Sequence, residues 1–402
     1  MQTSLPAYSS YMKHWGLDPA MVFLNHGSFG ATPIKILELQ HQVRQRMESE
    51  PVRFMVREFE PLWWEAKNKL GDFVGAKGEN LVFVKNATMG VNNILHALAF
   101  EEGDEVLTTN HVYGACLNTL HQYAKIKKFK VVIADVPFPI KSKDDVMEAL
   151  ISKVSTSTKL LLIDHITSAT GLIFPVEEIV KEFEGKGIEV LVDGAHAPGF
   201  LPLSLEQLGA SYYVGNCHKW ICAPKGAALL YVRPDKQSKI SPLQFSHVYD
   251  KQIPKEAEWS AQFFWLGTDD YSAYLCVPAA IDYMKNLMGD WDVLQQHNRD
   301  VCLKARKYLA SSLESSLPAP EEMIGALSNI LIGPATNTNL AHFNNIHPIQ
   351  QKLFENYKIE VPVFQFNQAN PRDWVRIAVQ AYNTYEQYVY LGNALKEIGA
   401  GL

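Results

Sequence analysis

VDGAHAPGFLPLSLEQLGASYYVGNCHKW, residues 192–220, decides the fold. The apolar run Ile188–Val192 stops at Asp193. A second run, Tyr212–Val214, stops ahead of Asn216, His218 and Lys219. Near-continuous apolar runs of this length read as strands of a sheet buried on both faces. Two such strands therefore end side by side, one on an acid and the other just before a lysine. Holding either charge against a core is costly unless something between them uses both.

The same texture extends outward. From about residue 60 to 235, helix-period segments alternate with short apolar runs. The helical segments include FEPLWWEAKNKLGDFVGA, TMGVNNILHALAF and SKDDVMEALISKV. The runs are NLVFV, EVLTT, KVVIADV, KLLLID, IEVLVD, YYVG and GAALLYV. This alternation predicts an α/β fold with a mainly parallel sheet between helices. Ligands of such sheets bind at the carboxyl ends of strands, where Asp164, Asp193, Asn216 and Lys219 fall.

After about residue 270 the pattern changes. Long helical segments, SAYLCVPAAIDYMKNLMG and WDVLQQHNRDVCLKARKYLASSLE, precede short strands NTNLAHF and DWVRIAV and a final helix NTYEQYVYLGNALKEIG. At 402 residues the chain is long enough for two domains. The expected division is a large ligand-binding domain over 20–272. The smaller α+β domain takes 273–402 together with the segment 1–19.

Composition excludes several classes. Hydrophobic residues make up 47% and charged residues 20%, with a net charge of −6 and a pI of about 6.1. No basic footprint for nucleic acid or polybasic membrane patch is present. No apolar run approaches the roughly 20 residues needed to span a bilayer. The stretch MQTSLPAYSSYMKHWGLDP lacks a basic-then-apolar signal pattern, so the expected location is cytoplasmic. Five cysteines, Cys116, Cys217, Cys222, Cys276 and Cys302, occur without a Cys-x-x-Cys pair, which points to reduced, buried thiols. Cys217 and Cys222 flank His218, but the spacing fits no structural zinc site, and no metal is expected.

Single residues carry modest weight. Asn86-Ala87-Thr88-Met89-Gly90 follows the run NLVFV and opens a helix. Free amides and a hydroxyl there suit a phosphate, though Thr is also a common cap. Tyr113 follows EVLTT and could stack on a flat ligand or simply edge the core. Asp193 could cap the next turn, and His196 could be a structural histidine. Lys219 could be a solvated lysine, but Cys217, Trp220, Ile221 and Cys222 make a poor surface. A desolvated lysine amine is a nucleophile. One ligand uses all of these groups: a phosphate, a flat ring, a ring nitrogen wanting an acid, and an aldehyde wanting an amine. That ligand is pyridoxal 5′-phosphate (PLP).

The motifs LNHGSFGATP (24–33), NATMGVN (86–92), NHVYGA (110–115), VDGAHAPG (192–199), GNCHKW (215–220) and RIAVQAYN (376–383) run in one order along nearly the whole chain. In this the sequence resembles the class V aminotransferase family of PLP-dependent fold type I enzymes, and within it the isopenicillin N epimerase-like branch. The resemblance implies a seven-stranded large domain and a smaller C-terminal α+β domain. Lys219 resembles the Schiff-base lysine, and Asp193 the partner of the pyridinium nitrogen. His196 falls beside the cofactor's phenolic oxygen, with Ser168 of HITSATG where relatives often carry asparagine. Tyr113 takes the place of the ring-stacking residue. Thr88, Met89, Asn216 and His218 fall around the phosphate. Thr268 in WLGTDD resembles a phosphate contact given by a second subunit, which implies a homodimer with shared sites. Arg53 in PVRF is a further candidate to reach in from a neighbouring subunit. Arg376 matches the substrate-carboxylate clamp, and the loop Asn25-His26-Gly27-Ser28 lies near the substrate.

The resemblance thus implies an amino acid or small peptide substrate and chemistry at its Cα. Lys219 would be the base. Epimerisation needs a second acid, for which Tyr113 and His26 are the candidates. C–S lysis and transamination are the alternatives, with a PLP-binding pseudoenzyme as the non-enzymatic one. The stretch VFQFNQANPRDW carries no cysteine where the family's desulfurases have one, so a desulfurase with a mobile persulfide-forming cysteine is disfavoured.

Overall fold

The computed structural model describes residues 5–246, 258–336, 346–366 and 371–399. The seven apolar runs all form strands: β1 (Leu81–Val84), β2 (Glu105–Thr109), β3 (Lys130–Ala134), β4 (Thr158–Asp164), β5 (Glu189–Asp193), β6 (Tyr212–Asn216) and β7 (Ala228–Val232). They form one sheet in the order β1-β7-β6-β5-β4-β2-β3. The five strands from β6 to β3 are parallel to their neighbours. β7 runs antiparallel to both β6 and β1. Strand direction is invisible in an apolar run, so this one reversal is read only from the fold.

Alternation along the strands divides the core. Leu160, Leu162, Leu191 and Val214 pack on one face with Val91 and Ile94 of α1 (Ala87–Ala97). Leu161, Ile163, Val190, Val192 and Tyr213 pack on the other. Side chains two apart share a face, so Asp164 and Asp193 continue the Leu162 and Leu191 rows. Parallel pairing sets these two aspartates directly side by side. α2 (Gly114–Lys127) packs with α1 over the same face and begins just after Tyr113.

A second sheet holds β8 (Leu327–Pro334), β9 (Val363–Phe366) and β10 (Arg372–Ala378) in the antiparallel order β9-β10-β8. The strand expected at NTNLAHF lies outside the described residues. The helix expected from Ser272 is broken into Ser272–Leu275 and Val277–Leu287. Pro278 falls in the second helix's first turn, where no N–H is needed. Trp291–Ser312 and Tyr385–Glu397 form the two long helices expected after it.

The N-terminal stretch is tied to the far end of the chain. Val22–Phe23 pairs in parallel with Ile359–Glu360. Ser9 Oγ donates to the carbonyl of Ala381 at 2.6 Å. The larger hydrophobic cluster runs without interruption from Ile163 and Val192 to Ile330 and Val375, so the two sheets share one core. This places the loop 24–30 between β10 and the Lys219 loop. Among the described residues, no helix is long and apolar enough to cross a membrane.

Candidate active site

Three strand ends, two loops and one helix start enclose a cavity of about 380 Å³. Thr88, Tyr113, Ser168, Asp193, His196, Asn216, His218 and Lys219 all line it, as expected from the sequence. Asp164, Ser28 and Lys225 join them.

Lys219 is half-buried, and its Nζ lies 3.1 Å from His196 Nε2. The indole N–H of Trp220 donates to His196 Nδ1 at 3.2 Å. An indole nitrogen can only donate, so His196 must carry its proton on Nε2 when neutral. Burial, then the charge of Lys219, holds the His196 pKa well below the ordinary value. The neutral imidazole therefore points an N–H at Lys219. An ammonium there would meet a donor, whereas a neutral amine accepts. Burial, then the charge of Arg376, lowers the Lys219 pKa to about 7, against the opposing pull of Asp193 and Asp164. Trp220 was no candidate in the sequence, yet it fixes the tautomer that keeps the lysine reactive.

Asp193 ends β5 and accepts from Cys116 Sγ at 3.2 Å and from the Ala195 amide at 3.0 Å. The thiol was also missed. Its signal was its place in the first turn of α2, three residues after Tyr113. Tyr113 is 45% exposed at the mouth of the cavity. Burial and the negative field of Cys116 and Asp193 raise its phenol pKa, so it keeps its proton.

The phosphate end is built by the start of α1. Asn86 caps it, accepting from the Met89 amide at 2.8 Å. Asn216 Oδ1 accepts from the Ala87 amide at 2.9 Å. This joins the end of β6 to the helix start. The Thr88 amide and hydroxyl remain for a ligand, which fits an anion at a helix N-terminus. Met89 departs from expectation. Its amide is taken by the cap, and its side chain lines a second cavity together with Thr268. Thr268 does not line the Lys219 cavity of its own chain.

Arg376, on β10, is 1% exposed. Its Nη2 donates to Ser28 Oγ at 3.1 Å, and its Nη1 to the carbonyl of Ser168. Its Nε has no partner among the described residues. The fork is thus anchored to two residues of the cavity wall and tilted over Phe364, 5.0 Å from the ring centroid. Ser28 Oγ in turn donates to Asn25 Oδ1 at 2.6 Å. A Cβ on Gly27 would lie 2.8 Å from Leu327 Cδ2, so a side chain there would require Leu327 to move.

His26 does not fit the role of second acid. It is fully buried and absent from the cavity wall. Its Nε2 bonds the carbonyl of Lys219 at 3.0 Å, and its Nδ1 bonds Tyr382 Oη at 2.9 Å. Burial pushes its pKa down to about 3. It braces the lysine loop from behind. Asn25 and Gly27 likewise stand behind the wall, and Ser28 reaches it. Arg53 pairs with Glu58 at 3.2 Å on the surface.

The sequence pattern described as "Aminotransferase class-V" matches residues 32–387. An isopenicillin N epimerase of Amycolatopsis lactamdurans is 30% identical, over 98% of this chain and 98% of the relative. A probable chloroplastic L-cysteine desulfhydrase of Arabidopsis thaliana is 28% identical, over 94% of this chain and 83% of the relative. The structure of a cystine C–S lyase, C-DES, superposes with a TM-score of 0.76 at 21% identity, covering 95% of this chain and 98% of that one, and supports the fold. With the match spanning most of its length, the chain belongs to the class V aminotransferase family.

Proposed function

We propose that the protein is a PLP-dependent enzyme that moves the Cα proton of an amino acid or small peptide, as an isopenicillin N epimerase-like epimerase. The observation that carries this is Lys219 Nζ, half-buried in the cavity wall and held as an acceptor by His196, in the field of Asp193 and Arg376. The residues fit PLP on their own chemistry. A buried aspartate ends β5, an open helix N-terminus with Thr88 waits for a phosphate, and a neutral amine stands between them. When bound, PLP supplies an electrophilic aldehyde and a ring that draws electrons from a bond at Cα.

The chain's own groups then divide the work. Arg376 orients the substrate carboxylate through its anchored fork. Lys219, once free, is the base for the Cα proton. Tyr113 lines the same cavity with its proton retained and is the second acid. Asp193 holds a proton at the ring nitrogen.

C–S lysis is the second reading, favoured by relatives named as cysteine desulfhydrases and as a hercynylcysteine sulfoxide lyase of Schizosaccharomyces pombe. It shares Lys219, Asp193 and Arg376 and differs in which bond breaks next. Transamination ranks third. A cysteine-persulfide route has no support, because all five thiols are buried and burial raises the pKa of each.

A homodimer completes this reading, with Thr268 serving the site of a second copy. Phe29, at 75% exposure, and Val52 and Val56 are exposed apolar side chains available to it. A cytoplasmic setting follows from five unpaired thiols.

The test is incubation of the PLP-loaded protein with L-amino acids and thiol-containing peptides in heavy water, followed by NMR and chiral analysis. Deuterium at Cα with loss of handedness is the expected result. Pyruvate with a released thiol or sulfide and no D-product would replace the epimerase with a C–S lyase.

A further inference from the structure

Asp164 has no role in the account so far, yet it is 2% exposed and lines the Lys219 cavity. It stands beside Asp193 in direct register on the adjacent strand, and parallel neighbours lie about 4.8 Å apart. Both side chains leave the same face. Two carboxylates this close in a water-poor site do not both ionise.

Their surroundings differ. Asp193 accepts a thiol and a backbone amide, at 3.2 and 3.0 Å. The nearby backbone amides of Tyr113 and of Asp164 itself favour charge on Asp164 less than burial and the charge of Asp193 oppose it. Its Oδ2 is buried without a hydrogen-bond partner among the described residues. The titratable groups that face it are Asp193 on β5, Cys116 on α2 and Lys219 beyond β6. Lys219, the one group in that set able to carry positive charge, faces both aspartates, but only Asp193 has hydrogen-bond donors on both of its oxygens. Charge is therefore better held on Asp193.

We propose that Asp164 and Asp193 work as a one-proton pair, with the proton on Asp164, so that the cavity floor presents a single negative charge on Asp193. Burial and the charge of Asp193 push Asp164 in the same direction, well above the usual carboxylate range. The inference rests on the PLP reading for its purpose. A second negative charge would pull Lys219 back towards the ammonium, because both aspartates favour its charged form. A neutral Asp164 spares the amine that the reaction needs. Asp164 is thus a positioning residue, and the chemistry stays with its neighbours.

Infrared spectra of the full chain at neutral pH, with and without PLP, read the proton directly. The expected result is a protonated-carboxyl band that moves on 13C-labelling of aspartate and vanishes in Asp164→Asn. No such band in the wild type, or its survival in Asp164→Asn, overturns the proposal. The visible absorbance of the loaded protein gives a second reading. Asparagine mimics a neutral acid, so Asp164→Asn should leave the pH midpoint of that absorbance within about 0.3 unit, whereas Asp193→Asn removes a charge and should move it by about one unit or more. An equal shift in both variants means that Asp164 is ionised and overturns the pair. A protein that takes up no PLP sinks the functional reading instead, and the infrared band still decides the pair.

Discussion

At the scale of the residue, the account turns on Lys219 as a neutral amine. Two neighbours and burial produce it: Trp220 fixes the tautomer of His196, His196 offers a donor, and burial disfavours the charged form. The sign of the pH dependence follows. The pKa is lowered, so the reactive form dominates above about pH 7 and is lost below it. The rate of PLP uptake by the apoprotein, followed by stopped-flow absorbance, should rise with pH through a midpoint of about 7. A midpoint near that of an ordinary lysine would contradict the arrangement. Arg376→Lys should leave PLP uptake intact and raise KM for an amino acid by about 10- to 100-fold, through loss of a planar charged fork worth about 1.5–3 kcal/mol. Unchanged KM would remove Arg376 from the substrate.

At the scale of the element, close backbone approaches hold these residues in place. Gly30 has φ +71°, and a Cβ there would lie 2.1 Å from the carbonyl oxygen of His218. Gly30→Ala should displace the Lys219 loop, lower the melting temperature and abolish stable PLP binding. A wild-type melt and spectrum would show that the loop tolerates the shift. Asn86→Ala removes the cap of α1 at a cost of about 1 kcal/mol. It should lower the melting temperature by a few degrees and weaken PLP binding, both read on the same samples. These elements differ in how plainly the sequence announces them. The seven strands were legible because buried strands are apolar at nearly every position, and their ends on Asp164, Asp193 and Asn216 marked the site. The reversed direction of β7 was not, because hydropathy carries no direction. Nor was the pairing of Val22–Phe23 with Ile359–Glu360, since two residues give no periodicity. Motif position brought His26 near the site, but only packing shows that it stands behind the lysine, bonded to that lysine's carbonyl. Cys116 and Trp220 escaped notice because each looks like core until its hydrogen bond is seen.

At the scale of the whole molecule, one core joins both sheets and holds Cys217, Cys276 and Cys302, while Cys116 and Cys222 are buried in two neighbouring clusters. A thiol reagent should therefore find almost nothing in the native protein and five equivalents after denaturation. Rapid native reaction would contradict the burial and reopen a cysteine-based mechanism. The homodimer reading expects a sedimenting species of about twice 45.3 kDa, and a fully active monomer would remove Thr268 from the site. The most direct test of the central claim lies in the same assembled protein. Loading with PLP, reducing with borohydride and mapping the peptides by mass spectrometry locates the lysine that carries the cofactor. The account predicts the added pyridoxyl mass on Lys219. The mass on Lys225, which shares the cavity wall and donates to the Gly30 carbonyl at 3.0 Å, would contradict it, as would a protein that carries none.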